Sequence, residues 1–186
     1  MNKMIIAIIA AMDPEGIIGK DGVLPWSIPE EMEFFTQSTM GHVLLMGRKT
    51  YQSLRIKPLP GRTSLVVSSD KSFQVADGVL LFDDLDEAEE KARELTQGNE
   101  KLLFVIGGRA LFEAYLPKAD LLYLTKVEAS FEGDTRFPDY DPEQWSEITS
   151  QRHSSSVGVD FSTSISIRKN AGEELLAVCS RLIKSK

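Results

Sequence analysis

A chain of 186 residues, with 42% apolar and 26% charged side chains, suits one globular domain. A chain of this size buries roughly 70% of the surface its unfolded form exposes, so it needs no metal or disulfide to fold. Twenty-eight acidic residues against 21 basic ones give a net charge of −7, which argues against nucleic acid and against an anionic membrane surface as partners. Cys179 is the only cysteine, which excludes an intrachain disulfide and fits a reducing compartment. His42 and His153 are the only histidines, and no cluster has zinc-ligand spacing.

The apolar run Met4 to Met12 follows Lys3 and is rich in Ile, which predicts a buried first strand rather than a signal segment. Asp13 to Trp26, with three glycines and Pro25, reads as one long loop of the kind that forms functional lids. Ser27 is the expected cap of a helix that carries Pro29 in its first turn and ends near Met40. A strand is expected over 42–46, a helix opened by Gly47 and ending near Leu54, a turn at 58–61, and strands over 63–68 and 79–82. Residues 83–97 read as a helix, 101–106 as a buried strand, and Gly107-Gly108 as the lead into a helix ending before Pro117. A strand over 121–127 precedes two alternating segments, 145–153 and 160–168, which predict an antiparallel hairpin. Residues 173–184 place Leu175, Leu176, Cys179, Leu182 and Ile183 on one helical face.

Strands alternating with helices over the first 127 residues predict an α/β fold, with a parallel sheet covered on both faces. The final hairpin adds antiparallel strands at one edge. The expected organisation is a single domain over 1–169, with residues 170–186 as a helical extension.

Ligands in such sheets bind at the carboxyl ends of the strands. Two glycine-led junctions fall there: Met46-Gly47-Arg48-Lys49-Thr50 and Ile106-Gly107-Gly108. Free backbone N–H groups at the start of a helix suit a phosphate, although a glycine needed only for a tight turn reads equally well. Glu31 stands early in its helix, four residues before Phe35; a carboxylate walled by an aromatic can manage a proton. Glu30, Glu31 and Glu33 also fit a plain complement to the helix dipole. Arg62 enters a strand behind a rigid turn and suits a carboxylate, or is an ordinary surface Arg. Met12, Met32 and Met46 read as core fillers, and Asp134 as a turn residue.

In order, Ile9-Ala10-Ala11, Ile18-Gly19, Leu24-Pro25-Trp26, Met46 to Thr50, Pro58-Leu59-Pro60-Gly61-Arg62, Ile106-Gly107-Gly108 and Glu132 to Pro138 resemble the dihydrofolate reductase family over residues 4–169. The resemblance implies an eight-stranded, mostly parallel sheet with about four helices. It implies hydride transfer from NADPH to C6 of 7,8-dihydrofolate with protonation of N5, by a monomeric cytoplasmic enzyme that acts in one-carbon metabolism. Glu31 matches the acid that grips the pterin, and Trp26 the residue that helps hold the proton-relaying water. Ile9, Ala11, Met32, Phe35, Thr50, Leu54, Leu59, Ile106 and Phe112 match substrate-pocket positions. Thr125 matches the threonine bonded to the acid, and Arg62 the clamp on the α-carboxylate of the glutamate tail. Ala11, Ile18, Gly19, Gly47, Arg48, Lys49, Thr50, Ser68, Ser69, Ile106, Gly107, Gly108, Arg109, Ala110 and Leu111 match cofactor contacts, with Arg48 at the 2′-phosphate. A cis Gly107–Gly108 peptide is implied as well.

Three features depart from the family's common pattern. Glu31 stands where bacterial members mostly carry Asp, Phe112 replaces a frequent Tyr, and Arg109 is one residue off a position where some members place an Arg. Two other readings compete: a pyrimidine-reducing relative from riboflavin synthesis, and a binding-only paralogue docking through its last helix.

Overall fold

The computed structural model describes residues 3–98 and 101–184, and within the last helix the side chains of 175–179 and 181. In chain order the elements are β1 (Ile6–Met12), β2 (Ile17–Gly19), α1 (Pro29–Thr39), β3 (Val43–Gly47), α2 (Arg48–Ser53), β4 (Thr63–Val67) and β5 (Leu80–Phe82). There follow α3 (Leu85–Thr96), β6 (Leu103–Val105), α4 (Arg109–Tyr115), β7 (Leu121–Val127), β8 (Thr135–Arg136), β9 (Trp145–His153), β10 (Phe161–Arg168) and α5 (Glu173–Lys184).

Eight strands form one sheet in the order β5-β4-β3-β6-β1-β7-β10-β9. Pairing is parallel from β5 through β7, and antiparallel for β7 with β10 and for β10 with β9. The continuous apolar runs of β1, β3 and β6 end up in the middle because both of their faces are covered. One face packs Ile6, Ile8, Leu45, Leu103 and Val105 against Ala88 and Ala92 of α3 and Phe112 and Tyr115 of α4. The other packs Ala7, Ile9, Leu44, Met46 and Phe104 with Phe34 and Phe35 of α1, Tyr51 of α2, and Leu175 and Cys179 of α5. Each fully buried Leu or Ile contributes roughly 1.5–3 kcal/mol.

Four expectations need correction. Ser27 does not cap α1; Ile28 is the capping residue and gives no side-chain hydrogen bond, because Pro29 at the start of the helix already dispenses with one amide donor. The stretch from Asp13 to Trp26 is not wholly irregular: β2 lies within it and pairs with β8 in a separate two-stranded sheet. Met32 is half exposed rather than a core filler, whereas Met12 and Met46 are buried. Leu176 faces solvent, so the buried stripe of α5 runs through Leu175 and Cys179. Leu182 and Ile183 lie outside the described residues as far as their side chains are concerned.

α5 packs on the body through Leu175 and Cys179. Among the described residues no helix is long and apolar enough to cross a membrane, and no group of His, Cys, Asp or Glu could hold a metal ion.

Candidate active site

β1 and β7 pair in parallel register with Ala11 opposite Thr125, and α1 lies over that end of the sheet. This brings Glu31 to the Thr125 hydroxyl, which hydrogen-bonds its carboxyl group. Glu31 is only 6% exposed. Burial dominates and pushes its pKa up to about 7, while the Thr125 hydrogen bond pulls the other way. The acid is thus poised between its two protonation states near neutral pH.

Trp26 follows the long loop and is buried with Ile28, Val127 and Phe161; Ala11 and Phe131 pack against the same cluster. Its ring lies 5.2 Å from that of Phe131. The indole Nε1 is buried and has no hydrogen-bond partner within the protein. An unpaired buried N–H costs about 1–3 kcal/mol, so a water or ligand atom belongs there.

Ile9, Phe35, Leu54, Leu59 and Ile106 share one apolar cluster beside α1 and α2. Met32 is half exposed and is not part of this cluster. Phe112 is not in this cluster. It packs on the opposite sheet face, 5.1 Å from Phe137, with its ring beneath Gly107.

Arg62 is held from two sides: its Nε donates to the Pro60 carbonyl at 3.0 Å and its Nη1 to Thr39 Oγ1 at 3.2 Å. Thr39 in turn donates to the Phe35 carbonyl at 2.8 Å. The guanidinium is therefore oriented before any ligand arrives, and it is not a free surface Arg.

The glycine-led junctions meet each other. Gly47 N donates to the Gly107 carbonyl at 2.8 Å, and the Gly107–Gly108 peptide is cis, as the resemblance implies. Gly107 has φ +116, and a Cβ there would lie 3.2 Å from Phe112 and 3.4 Å from Thr50 Oγ1. Close approach to this bare backbone is open only to glycine. Arg48, Lys49 and Thr50 open α2 and Arg109, Ala110 and Leu111 open α4 directly after these glycines, and Ser68 and Ser69 follow β4, whose Val67 pairs with Gly47. Arg109 pairs with Glu113 at 2.7 Å and reaches the Arg136 carbonyl. This set of cations, hydroxyls and amides fits a polyphosphate.

The loop that carries Ile18 and Gly19 is pinned to the 128–137 segment. Asp134 N donates to the Gly19 carbonyl at 3.0 Å, and Asp21 N donates to Asp134 Oδ2 at 2.8 Å. Asp13 is 2% exposed and accepts from the amides of Glu15, Ile17 and Phe131. A surface cavity of about 450 Å³ opens beside this contact, lined by Glu15, Ile17, Phe131 and Arg136 among others, and it holds no candidate catalytic group.

Sequence reasoning missed Asp13, Thr39 and Asp70. Asp-Pro at a strand end signals an Asx turn and points to Asp13. Thr39 and Asp70 give no signal of their arginine partners, because Arg62 and Arg48 lie 23 and 22 residues away in the chain.

A buried acid titrating near 7, an apolar cluster that includes Phe35 of the same helix and a glycine junction that opens two helices suit an oxidoreductase with a phosphorylated cofactor. The family described as dihydrofolate reductase matches residues 5–168. The chain is 41% identical over 150 residues to dihydrofolate reductase type 3 of Salmonella typhimurium, covering 81% of this chain and 88% of that protein. It is 40% identical over 149 residues to the Bacillus subtilis dihydrofolate reductase, covering 79% and 83%. Its fold is similar to that of the Enterococcus faecalis dihydrofolate reductase solved with NADP(H) and RAB-propyl, with a TM-score of 0.79 at 31% identity over 89% of this chain and 97% of that one. The chain belongs to the dihydrofolate reductase family.

Proposed function

We propose that Glu31 is the proton-managing acid of an NADPH-dependent reduction of 7,8-dihydrofolate to 5,6,7,8-tetrahydrofolate. The reaction is that of the family. The observation that carries the assignment of Glu31 is its near-complete burial against Thr125, with a pKa of about 7. A general acid works best when its pKa lies near the operating pH.

When bound, NADPH supplies the hydride that reduces the substrate at C6. The side chains do the rest. Glu31 grips the pterin edge and holds the proton destined for N5, with the unpaired Trp26 Nε1 orienting a relaying water. Ile9, Phe35, Leu54, Leu59 and Ile106 give the substrate rings a dry slot, with Ala11, Met32 and Thr50 at its margins, while Phe112 backs Gly107 from the other sheet face. Holding two rings face to face in such a slot supplies much of a rate enhancement through orientation alone. Arg62 takes the α-carboxylate of the tail as a fork of charged donors. Arg48, Lys49, Thr50, Ser68, Ser69 and the Gly107–Leu111 segment hold the cofactor, and the loop at Ile18 and Gly19 closes over it and excludes water.

The same reading takes the body as residues 1–169 and 170–186 as its extension, working as a cytoplasmic monomer without a nucleic-acid partner. The net charge of −7 and the single cysteine support it. Size-exclusion chromatography at micromolar concentration is expected to show one copy.

The test is loss of NADPH absorbance with purified protein, with and without 7,8-dihydrofolate and with NADH alongside. Substrate-dependent loss that favours NADPH is expected. Folded protein that binds NADPH but consumes none would return the choice to the pyrimidine-reducing or binding-only readings.

A further inference from the structure

We propose that Asp70 sets how strongly this site prefers a 2′-phosphorylated cofactor, by holding a carboxylate against the guanidinium that meets the phosphate. The inference rests on the placement of Arg48 at the adenosine 2′-phosphate. β3 and β4 are parallel neighbours with Gly47 opposite Val67, so Arg48 and the 68–70 turn emerge side by side at the carboxyl end of the sheet. Arg48 Nη1 donates to Asp70 Oδ2 at 2.7 Å, with the two side chains 39% and 37% exposed.

Asp70 is not an idle surface partner. Its Oδ1 accepts from Ser72 N at 3.0 Å and from Ser72 Oγ at 2.7 Å. Its own amide donates to Ser68 Oγ at 3.2 Å. The turn fixes the carboxylate, and Asp70 stays charged throughout the working pH range, because these same donors and Arg48 hold its pKa below the ordinary carboxylate value.

A phosphate arriving at Arg48 therefore meets a guanidinium that already gives one donor to a carboxylate. It also meets a second negative charge that cannot swing away without breaking the Ser72 hydrogen bonds. The remaining Arg48 donors, Lys49 and the Ser68 and Ser69 hydroxyls still accept it, so binding survives but is weakened. A cofactor with a plain 2′-hydroxyl carries no charge at that point and escapes the repulsion. One fixed charge sharing a guanidinium with a near-dianion, in a water-like and partly screened setting, amounts to roughly a three- to tenfold change in affinity.

The experiment is fluorescence titration of NADPH and NADH into the full-length protein and its Asp70→Asn and Arg48→Gln variants, at low and high salt. Asn keeps an oxygen for the Ser72 amide while removing the charge, so the turn persists; unchanged melting temperature checks this. Asp70→Asn is expected to tighten NADPH roughly three- to tenfold at low salt, leave NADH within about twofold, and lose most of the difference at high salt. Arg48→Gln is expected to lower the NADPH-to-NADH preference. If Arg48→Gln lowers that preference but Asp70→Asn leaves it unchanged or lowers it too, the Asp70 proposal alone is overturned. If Arg48→Gln leaves the preference unchanged, the placement of Arg48 at the 2′-phosphate fails and the proposal fails with it.

Discussion

The Thr125 hydroxyl and the burial of Glu31 act on the same carboxyl group in opposite directions. Burial favours the neutral acid, and the hydrogen bond favours the carboxylate. Burial wins, but not outright, and the group titrates at about 7. The relationship depends on two elements: α1 supplies the acid, and β7 supplies the hydroxyl from the strand beside β1.

Replacing Glu31 by Gln separates activity from stability. Gln cannot deliver a proton, so turnover is expected to fall by about 10²-fold or more while NADPH binding persists. The stability effect has the opposite sign. The folded protein keeps the Glu31 proton up to about pH 7, against an ordinary value of 4.5, so this contribution to stability is full below 4.5 and is lost as the pH rises through 7. Gln never charges, so the variant is expected to match the parent at pH 4 and to exceed it by up to about 3 kcal/mol above pH 8. Denaturant melts at both pH values check this, and a variant less stable than the parent at pH 8 contradicts it.

Gly133→Ala is expected to spring the lid contact. A Cβ at this position would lie 2.2 Å from Ile17 Cγ2 and 2.7 Å from the Gly19 carbonyl oxygen. Backbone cannot yield cheaply, so β2 must move off β8. A displacement of about 1 Å at a positioning loop costs up to 10²-fold in rate, and turnover should drop by an order of magnitude. Limited proteolysis should cut faster between residues 13 and 24. Wild-type turnover with wild-type proteolysis would show that the loop does not use this contact.

What the chain revealed on reading, and what it hid, follow from one distinction. β1, β3 and β6 announce themselves as apolar runs because that signal is local; the expected hairpin of β9 and β10 forms, but β9 is exposed from Ser146 to Arg152 rather than alternating. Glu31 is ambiguous for the opposite reason: any acid in a first helical turn has a dipole rationale, and only its burial by the folded chain, beside Thr125 of β7, sets it apart. The same holds for Arg62, whose orientation depends on Thr39, and for Arg48, whose partner Asp70 comes from the turn after the neighbouring strand. Leu176 shows the limit of periodicity, since a helical stripe gives a face to within about one residue and not its edge.

Arg62→Gln should separate tail recognition from chemistry. The guanidinium is pre-oriented by Pro60 and Thr39, so its loss removes a charge-assisted contact without reshaping the pterin slot. Hydrogen bonds to charged groups are worth about 1.5–3 kcal/mol, which raises KM for dihydrofolate roughly 10- to 100-fold. A tail-less dihydropterin should show no change. An equal rise for both substrates would place the defect in the slot.

α5 buries Cys179 to 2% exposure in the cluster that holds Phe104, Leu121 and Tyr123, and Leu175 packs beside it. Burial pushes the thiol up to about 11, with the Asp120 carboxylate adding to the effect. Both factors starve the reactive thiolate, so an aromatic disulfide reagent at pH 8 is expected to modify the native protein orders of magnitude more slowly than a free thiol. The rate then reports how often α5 lifts from the sheet. Leu175→Ala, which weakens the dock without touching the cysteine, should speed modification by the factor set by its stability loss, up to about 2 kcal/mol for a partly buried Leu. Deleting 171–186 should lower the melting temperature, because Ala7, Leu102 and Phe104 lose part of their cover. Rapid labelling of Cys179 in the native protein would mean that the helix does not hold this position in solution.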